Sequence, residues 1–304
     1  MEKVQLGNTG LNVSRLGIGL SEIGSSDESV AKEVLVNAFD SGINFFDTAS
    51  CYNRSEEFFG KVMSSNRDEI ILASKCGHAS KFDANLKDWS YEGVKLSIER
   101  SLKLLKTDRL DLIQIHSCTL KELSEGETFK AMSEAKEEGK VLHLGFSGDN
   151  EAAIWAAKSG LFETIQTSFN LVEQKARYEL LGIVKKNNIG LIAKRPIANG
   201  AWRALENPHV HSAPSNYAEE YYKRAQIIGT QGRLEDEPED RILTSMGFVF
   251  GFSEVSVGII GTQNPTHLKS NVDIFNKSLP ISSKTISELC ERYDNLGKNW
   301  EQRT

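Results

Sequence analysis

The sequence predicts a (β/α)8 barrel, an α/β fold in which eight parallel strands close into a cylinder inside a ring of helices. Short apolar runs alternate along the chain with charged segments of helical period, a pattern typical of a parallel sheet covered by helices. Eight such runs are present, which favours a closed barrel over an open sheet. Because α/β barrels run past about 250 residues as single domains, residues 1–304 are interpreted as one domain.

The chain opens with a predicted hairpin cap, residues 1–14. Two short strand-like pieces, 4–6 and 11–13, flank the turn sequence Gly-Asn-Thr-Gly at residues 7–10. Glycine and asparagine between apolar segments are a strong hairpin signal.

Strands and helices then follow in alternation. The predicted barrel strands are residues 16–20, 44–48, 70–75, 110–116, 141–147, 164–169, 190–195 and 256–261. The segments between them place apolar side chains on one face, as Val30, Val34 and Ala38 do in the first, which predicts amphipathic helices. These helices are residues 29–41, 91–106, 125–138, 151–159, 175–187 and 266–275.

Two segments depart from the alternation. Residues 201–240 are long, polar and rich in aromatic residues, so we predict a loop over the site with its own helix at 215–228. Trp202 and the residues after it, including His209 and His211, are expected to line a substrate pocket or close over a cofactor; a solvated flap is the alternative. Residues 281–300, after Pro280, are predicted to form a terminal helix.

Composition limits the function classes. The chain is 39% hydrophobic and 26% charged, which excludes disordered and fibrous proteins. Its 36 basic and 42 acidic residues give a net charge of −6, which argues against nucleic acid or an anionic membrane as the main partner. We find no secretory signal and no apolar run of membrane-spanning length. The four cysteines form no CxxC pair, so we expect reduced thiols in a cytoplasmic protein.

Polar residues close several successive strands. Asp47, Lys75 and His116 lie at the ends of the second, third and fourth runs. Ser147 ends the fifth run, and Gln166 lies within the sixth. Because the carboxyl ends of barrel strands form one rim, where barrel enzymes carry out their chemistry, the sequence predicts the site there.

These residue types suit proton transfer at a carbonyl group. Lys75 at the end of a buried strand needs a carboxylate partner, and Asp47 on the neighbouring strand supplies one. Tyr52 lies close enough to cover the same opening; the nearby ammonium is expected to favour its phenolate form, and a phenol can exchange a proton with an alkoxide. His116 is expected to orient the carbonyl oxygen. Taken singly, each residue has an ordinary structural explanation as a turn, core or surface residue; their joint placement carries the prediction.

In sequence order these residues resemble the signature of the aldo-keto reductase superfamily. The resemblance runs from about residue 4 to residue 275, and its motifs are Asp-Thr-Ala-Ser-Cys-Tyr (47–52), Ala-Ser-Lys (73–75), Gln-Ile-His (114–116), Gly-Phe-Ser (145–147), residues 166–170 and Gly-Ile-Ile-Gly-Thr (258–262). It implies an NAD(P)(H)-dependent oxidoreductase that interconverts aldehydes or ketones with alcohols by direct hydride transfer. Tyr52 is then the general acid/base, Asp47 and Lys75 tune it, and His116 places the carbonyl group.

The resemblance also implies a nicotinamide cofactor bound extended across the barrel, without a Rossmann domain. The implied cofactor-binding residues are Gly19, Asp47, Ser147, Gln166, Lys194, Arg195, Gly261, Thr262, His267 and Asn271. Three departures from the family pattern stand out: Gly148 where asparagine is common, Lys194-Arg195 where an aromatic often stacks, and His267 where an arginine often binds the 2′-phosphate. NADP(H) is therefore favoured, with NAD(H) left open.

Several other interpretations were weighed. A sugar (aldose) dehydrogenase of the same family that uses NAD and a cofactor-binding regulatory subunit with little turnover stay open as alternatives. Residues 17–24 do not have the G-x-G-x-x-G spacing of a dinucleotide fingerprint, and no ligand pairing suits a metal. Cys51 is interpreted as an inert thiol rather than as a low-pKa thiol. The expected partner is a small-molecule carbonyl compound or alcohol; the oligomeric state is not predicted.

Overall fold

The computed structural model describes residues 1–205 and 216–303. It begins with a two-stranded antiparallel hairpin of β1 (Lys3–Gln5) and β2 (Asn12–Ser14). In the described residues, eight further strands close a parallel barrel in the order β10-β3-β4-β5-β6-β7-β8-β9. They are β3 (Leu16–Gly19), β4 (Phe45–Asp47), β5 (Ile71–Cys76), β6 (Leu110–His116), β7 (Val141–Ser147), β8 (Thr164–Ser168), β9 (Gly190–Lys194) and β10 (Val255–Ile260). The predicted fold class is confirmed.

The hairpin packs against the barrel interior. Leu6 and Val13 are fully buried in the same apolar cluster as Phe45, Leu112 and Val257, which come from three barrel strands. The hairpin turn approaches β9 so closely that a Cβ on Gly7 would lie 2.2 Å from the backbone nitrogen at residue 190, and its φ is +56°. Only glycine fits both conditions, and the apolar plug leaves the opposite end of the barrel for polar side chains.

Helices cover the outside of the barrel. In the described residues they are α1 (Glu28–Asp40), α2 (Ser55–Val62), α3 (Tyr91–Leu105), α4 (Leu120–Glu125), α5 (Glu127–Glu137), α6 (Asn150–Ser159), α7 (Leu180–Asn187), α8 (Asn216–Gly229), α9 (Arg241–Phe250), α10 (Pro265–Ser278) and α11 (Ser283–Leu296). The larger apolar core lies between these helices and the strands. None of the helices in the described part of the chain is both long and apolar enough to cross a membrane.

Some predicted elements need correction. The predicted helix at 175–187 is divided into a short turn, Lys175–Arg177, and α7, and the terminal helix is shorter than residues 281–300. The helix expected within segment 201–240 is confirmed as α8, one residue later than predicted, and short helical turns run through Ala198–Leu205 before it. Trp202 is buried and its indole N–H donates to Glu237 Oε1 at 3.2 Å, so it packs in the interior rather than facing a substrate pocket. His209 and His211 lie outside the described residues.

Candidate active site

The polar residues at the strand ends do meet at one rim of the barrel. In the register of the sheet, Lys75 on β5 lies beside Gln114 on β6, and His116 lies beside Ser147 on β7. Ser147 in turn lies beside Gln166 on β8. Side chains of barrel residues two apart point to the same face, so Gln114 and His116 both project from β6 toward this rim.

Asp47 and Lys75 form an ion pair at the centre of the cluster. Their side chains are 2% and 1% exposed, and Lys75 Nζ donates both to Asp47 Oδ2 and, at 3.0 Å, to the carbonyl oxygen of Thr48. The other carboxylate oxygen, Oδ1, accepts from Gln114 Nε2 and Gln166 Nε2, both at 2.9 Å. Burial alone would lower the pKa of Lys75, but the charge of Asp47, the influence of Tyr52 and the hydrogen bond to Asp47 together outweigh burial and raise that pKa, so the ammonium form is retained.

Tyr52 lies on the turn between β4 and α2, over the ion pair. Lys75 Nζ is 5.0 Å from the centre of the Tyr52 ring. The turn is held close to residues 22–25, where a Cβ on Gly24 would lie 2.3 Å from the carbonyl oxygen of Tyr52. Burial raises the pKa of Tyr52, and the opposing effect of Lys75 does not cancel it. Lys75 does favour the phenolate, as expected, but desolvation of the phenolate is the larger effect, so the net pKa is raised.

His116 completes the cluster. Its ring contacts Tyr52 edge-on at 5.6 Å and His78 at 4.9 Å between ring centres. Its Nδ1 lies 3.5 Å from Cys51 Sγ, and its carbonyl oxygen accepts from the indole N–H of Trp89 at 2.9 Å. Burial first, and then the charge of Lys75, lowers the pKa of His116 well below its usual value. The imidazole is therefore neutral near pH 7.

Two of the proposed cofactor-binding residues, Ser147 and Gln166, are connected to this cluster by hydrogen bonds. Ser147 Oγ donates to Gln166 Oε1 at 3.0 Å, and Gln166 in turn donates to Asp47. Gly148 follows them, and a Cβ there would lie 2.6 Å from the ring of Phe146. The asparagine that is common in the family at this position therefore has no room unless Phe146 moves.

Lys194 and Arg195 lie on the same rim, and their charged groups bind other residues of the chain. Lys194 Nζ pairs with Asp149 Oδ2 at 2.8 Å, and burial lowers the pKa of Lys194. The Arg195 guanidinium donates to Ser168 Oγ and to the hydroxyl of Tyr221, both at 2.9 Å, and to the carbonyl oxygen at residue 303. The backbone φ of Arg195 is +59°, a conformation that is uncommon for a residue with a side chain.

The remaining proposed cofactor-binding residues lie on the far side of the rim, where β10 neighbours β3. Gly19 ends β3 and Gly261 follows β10, close enough that a Cβ on Gly261 would lie 3.4 Å from the carbonyl oxygen of Gly19. Thr262 precedes α10, whose cap residue Asn264 accepts from the N–H of Thr266 at 2.9 Å. His267 is exposed on the first turn of α10, and Asn271 is buried one turn later.

Three features of the site were not predicted. Gln114, a donor to Asp47, is not among the predicted site residues, although an amide two residues before His116 on a buried strand is itself a signal. The contact of Cys51 with His116 joins residues far apart in sequence and left no local signal. The third is the segment 301–303, in which buried Gln302 donates to the carbonyl oxygen of Ser168 at 2.6 Å.

Comparisons with known proteins give a consistent result. The model of the aldo/keto reductase family matches residues 15–293. An uncharacterized oxidoreductase of Bacillus subtilis, YqkF, is 28% identical over 91% of this chain and 92% of its own. L-galactose dehydrogenase of Arabidopsis thaliana is 28% identical over 95% and 94%. The holo form of an aldo-keto reductase from Bacillus halodurans superposes with a TM-score of 0.81 at 24% identity, covering 96% of each chain, and so shows the same fold.

Proposed function

Because the chain belongs to the aldo/keto reductase family of oxidoreductases, we propose that it interconverts an aldehyde or ketone with the corresponding alcohol, using a nicotinamide cofactor. One observation carries the proposal. A buried Asp47–Lys75 pair lies under the ring of Tyr52 and beside the neutral imidazole of His116, at the rim where the barrel strands end. A buried ion pair next to a phenol and an imidazole is an arrangement for proton transfer rather than for packing.

The residues on the rim fit a nicotinamide cofactor. Such a cofactor, when bound, supplies or accepts the hydride. Ser147 and Gln166 present a hydroxyl and an amide beside Asp47, and they would hold the carboxamide end. Exposed Gly261 and the start of α10 would hold the phosphate end, because a helix N-terminus and backbone without side chains suit an anion.

Tyr52 would transfer the proton. Because burial raises its pKa, Tyr52 keeps its proton near neutrality and is ready to donate it to the oxygen of a carbonyl substrate. The Lys75 ammonium then stabilises the phenolate that remains, and Asp47 keeps that ammonium charged and in place. In the reverse direction the same phenolate would accept the proton of an alcohol.

His116 would orient the substrate. A neutral imidazole has one N–H, and a donor aimed at the carbonyl oxygen both positions the carbonyl and stabilises developing negative charge. Since the pKa of His116 is lowered by burial, it would act as a hydrogen-bond donor and leave the proton transfer to Tyr52.

A second candidate is a sugar dehydrogenase that uses NAD. Exposed His267 stands where the family often has the arginine for the 2′-phosphate of NADP, and L-galactose dehydrogenase is among the relatives over nearly the full length. We keep NADP(H) as the favoured cofactor. The four free cysteines support placing the protein in the reducing cytoplasm.

The test is to follow cofactor absorbance while an activated aromatic aldehyde is added to the protein with NADPH or, separately, NADH. Oxidation of either cofactor is expected, and the ratio of rates gives the cofactor preference. A parallel assay with NAD⁺ and free aldoses tests the second candidate. Tyr52→Phe is expected to lose turnover by several orders of magnitude while cofactor affinity stays nearly normal. Turnover in this variant equal to that of the unmodified protein would overturn the role of Tyr52.

A further inference from the structure

A cysteine contacts the imidazole beside the proposed catalytic tyrosine. Cys51 Sγ lies 3.5 Å from His116 Nδ1, within the range of a hydrogen bond that involves sulfur. Cys51 directly precedes Tyr52 in the chain and is partly buried, so the turn that places Tyr52 also places this thiol.

This hydrogen bond can form with the thiol as its donor. Burial raises the pKa of Cys51, and the opposing charge of Lys75 does not cancel that effect, so the sulfur keeps its proton near neutrality. A thiol is a weak donor, and a neutral imidazole offers one good acceptor nitrogen. The pair is therefore satisfied when S–H points at Nδ1 and the imidazole proton is on Nε2.

In the described residues, the other neighbours of the His116 ring do not hydrogen-bond its nitrogens. Trp89 bonds the backbone carbonyl of His116 rather than its ring, and Tyr52 and His78 contact the ring through their edges or faces. Among the residues that the structure describes, no other side chain hydrogen-bonds either nitrogen of this imidazole. Lys75, the charged group that most lowers the pKa of His116, donates to Asp47 and Thr48 instead.

We propose that Cys51 is a positioning residue that fixes the tautomer of His116, holding Nδ1 as an acceptor so that Nε2–H is the donor offered to the substrate oxygen. The kinetic part of this inference rests on the proposed function. In the opposite tautomer Nε2 carries a lone pair and repels a carbonyl oxygen. Without a partner on Nδ1 a neutral imidazole samples both forms, so part of the protein would present the wrong nitrogen.

The tautomer is measured directly by nitrogen NMR on protein labelled with ¹⁵N-histidine. The signal of His116 is assigned by its loss in His116→Asn, since only six histidines contribute. We expect the proton on Nε2 in the unmodified protein and in Cys51→Ser, whose hydroxyl is also a donor. In Cys51→Val, which is close to cysteine in size but cannot donate, we expect a mixture or the Nδ1–H form. Cys290→Val, at a partly buried cysteine on α11, is the matched control and should leave the signal unchanged.

Kinetics provides the second readout. Cys51→Val should lower kcat/KM for carbonyl reduction about three- to tenfold, the loss expected for one modest hydrogen bond, with the affinity for NADPH unchanged. Cys51→Ser should recover most of the loss. Wild-type rates in Cys51→Val would show that Cys51 has no positioning role in carbonyl reduction, and would overturn that part of the inference.

The two arms separate the possible failures. An Nδ1–H tautomer in the unmodified protein, or an unchanged Nε2–H tautomer in Cys51→Val, would overturn the inference whatever the turnover. The expected tautomers in a protein that turns over no carbonyl compound or alcohol would support the Cys51–His116 hydrogen bond and contradict the proposed function. A loss of thermal stability in Cys51→Val without a change of tautomer would indicate a packing role only and would also overturn the inference.

Discussion

At the scale of single residues, Asp47 organises the site. One of its carboxylate oxygens accepts from Lys75 and the other from Gln114 and Gln166, so the carboxylate has three donors although it is 2% exposed. A buried carboxylate is tolerated only when it is paired and hydrogen-bonded in this way. Because Gln166 also accepts from Ser147, the same network connects the proposed cofactor end to the acid/base residues.

Lys75→Met tests how strongly the pair is coupled. Methionine is similar in length but leaves Asp47 buried without its cation, so we expect the free energy of unfolding to fall by about 3–5 kcal/mol and turnover to be lost. Denaturant unfolding measures the first effect. The double variant Asp47→Asn/Lys75→Met, in which no charge is left unpaired, should regain much of the stability and none of the activity. Additive losses in the double variant would contradict this coupling.

The pH dependence follows from Tyr52 and His116. The proposed reduction needs the protonated phenol, and burial raises the pKa of Tyr52 above its ordinary value of about 10, so kcat/KM should fall only on the alkaline side of that value. Burial lowers the pKa of His116 well below its usual range, so no loss of activity is expected as the pH falls through about 6.5. A pH profile of aldehyde reduction measures both. An alkaline limb that appears near neutrality would contradict the raised pKa of Tyr52.

At the scale of secondary-structure elements, the sequence predicted best those segments whose periodicity is regular. β6 and β7 have the predicted bounds, and the other barrel strands differ by one residue at one or both ends. α9 was missed because it has no charged residue after Arg241 and so does not resemble the charged helical segments elsewhere in the chain. The short helix α2 was missed because it follows the Tyr52 turn directly. The four residues proposed for catalysis come from strand ends or from this turn, and so they could be predicted from the sequence.

The segment 301–303 was beyond prediction because its contacts are all long-range. Gln302 bonds the loop after β7 through Asn150 and the end of β8 through Ser168. The N–H of Arg303 donates to Glu173 at 2.6 Å, and its carbonyl oxygen accepts from Arg195 after β9. The segment 301–303 therefore ties together the parts of the rim that follow β7, β8 and β9, the strands that carry proposed cofactor residues.

Gln302→Ala should show the contribution of this segment. The side chain is 6% exposed and makes several hydrogen bonds, so their loss is expected to cost about 1–3 kcal/mol of unfolding free energy and to weaken cofactor binding. The matched control is Glu301→Ala, whose carboxylate makes a surface ion pair with Lys175; such pairs contribute at most about 1 kcal/mol. Denaturant titration with and without NADPH measures both effects, and equal behaviour of the two variants would contradict a tying role for Gln302.

At the scale of the whole molecule, an apolar cluster fills one end of the barrel and the proposed active site occupies the other end. The hairpin end is filled by apolar side chains such as Leu6 and Val13, and the opposite rim collects the polar residues from β4 to β8. The proposed cofactor residues span the rim from β7 and β8 across to β10 and α10. A ligand that bridges these elements binds the folded chain only, since unfolding disperses its contacts.

Cofactor binding should therefore stabilise the entire fold, independently of turnover. With NADPH at about 100 times its dissociation constant, linkage predicts a gain of about 2.7 kcal/mol in unfolding free energy, seen as a higher melting temperature. Tyr52→Phe should show the same gain, because the phenol oxygen serves the proton transfer and not the cofactor. His267→Glu, which puts a negative charge on the exposed first turn of α10, should reduce the gain with NADPH more than with NADH. A gain that is lost in Tyr52→Phe but kept in His267→Glu would place the cofactor elsewhere on the barrel.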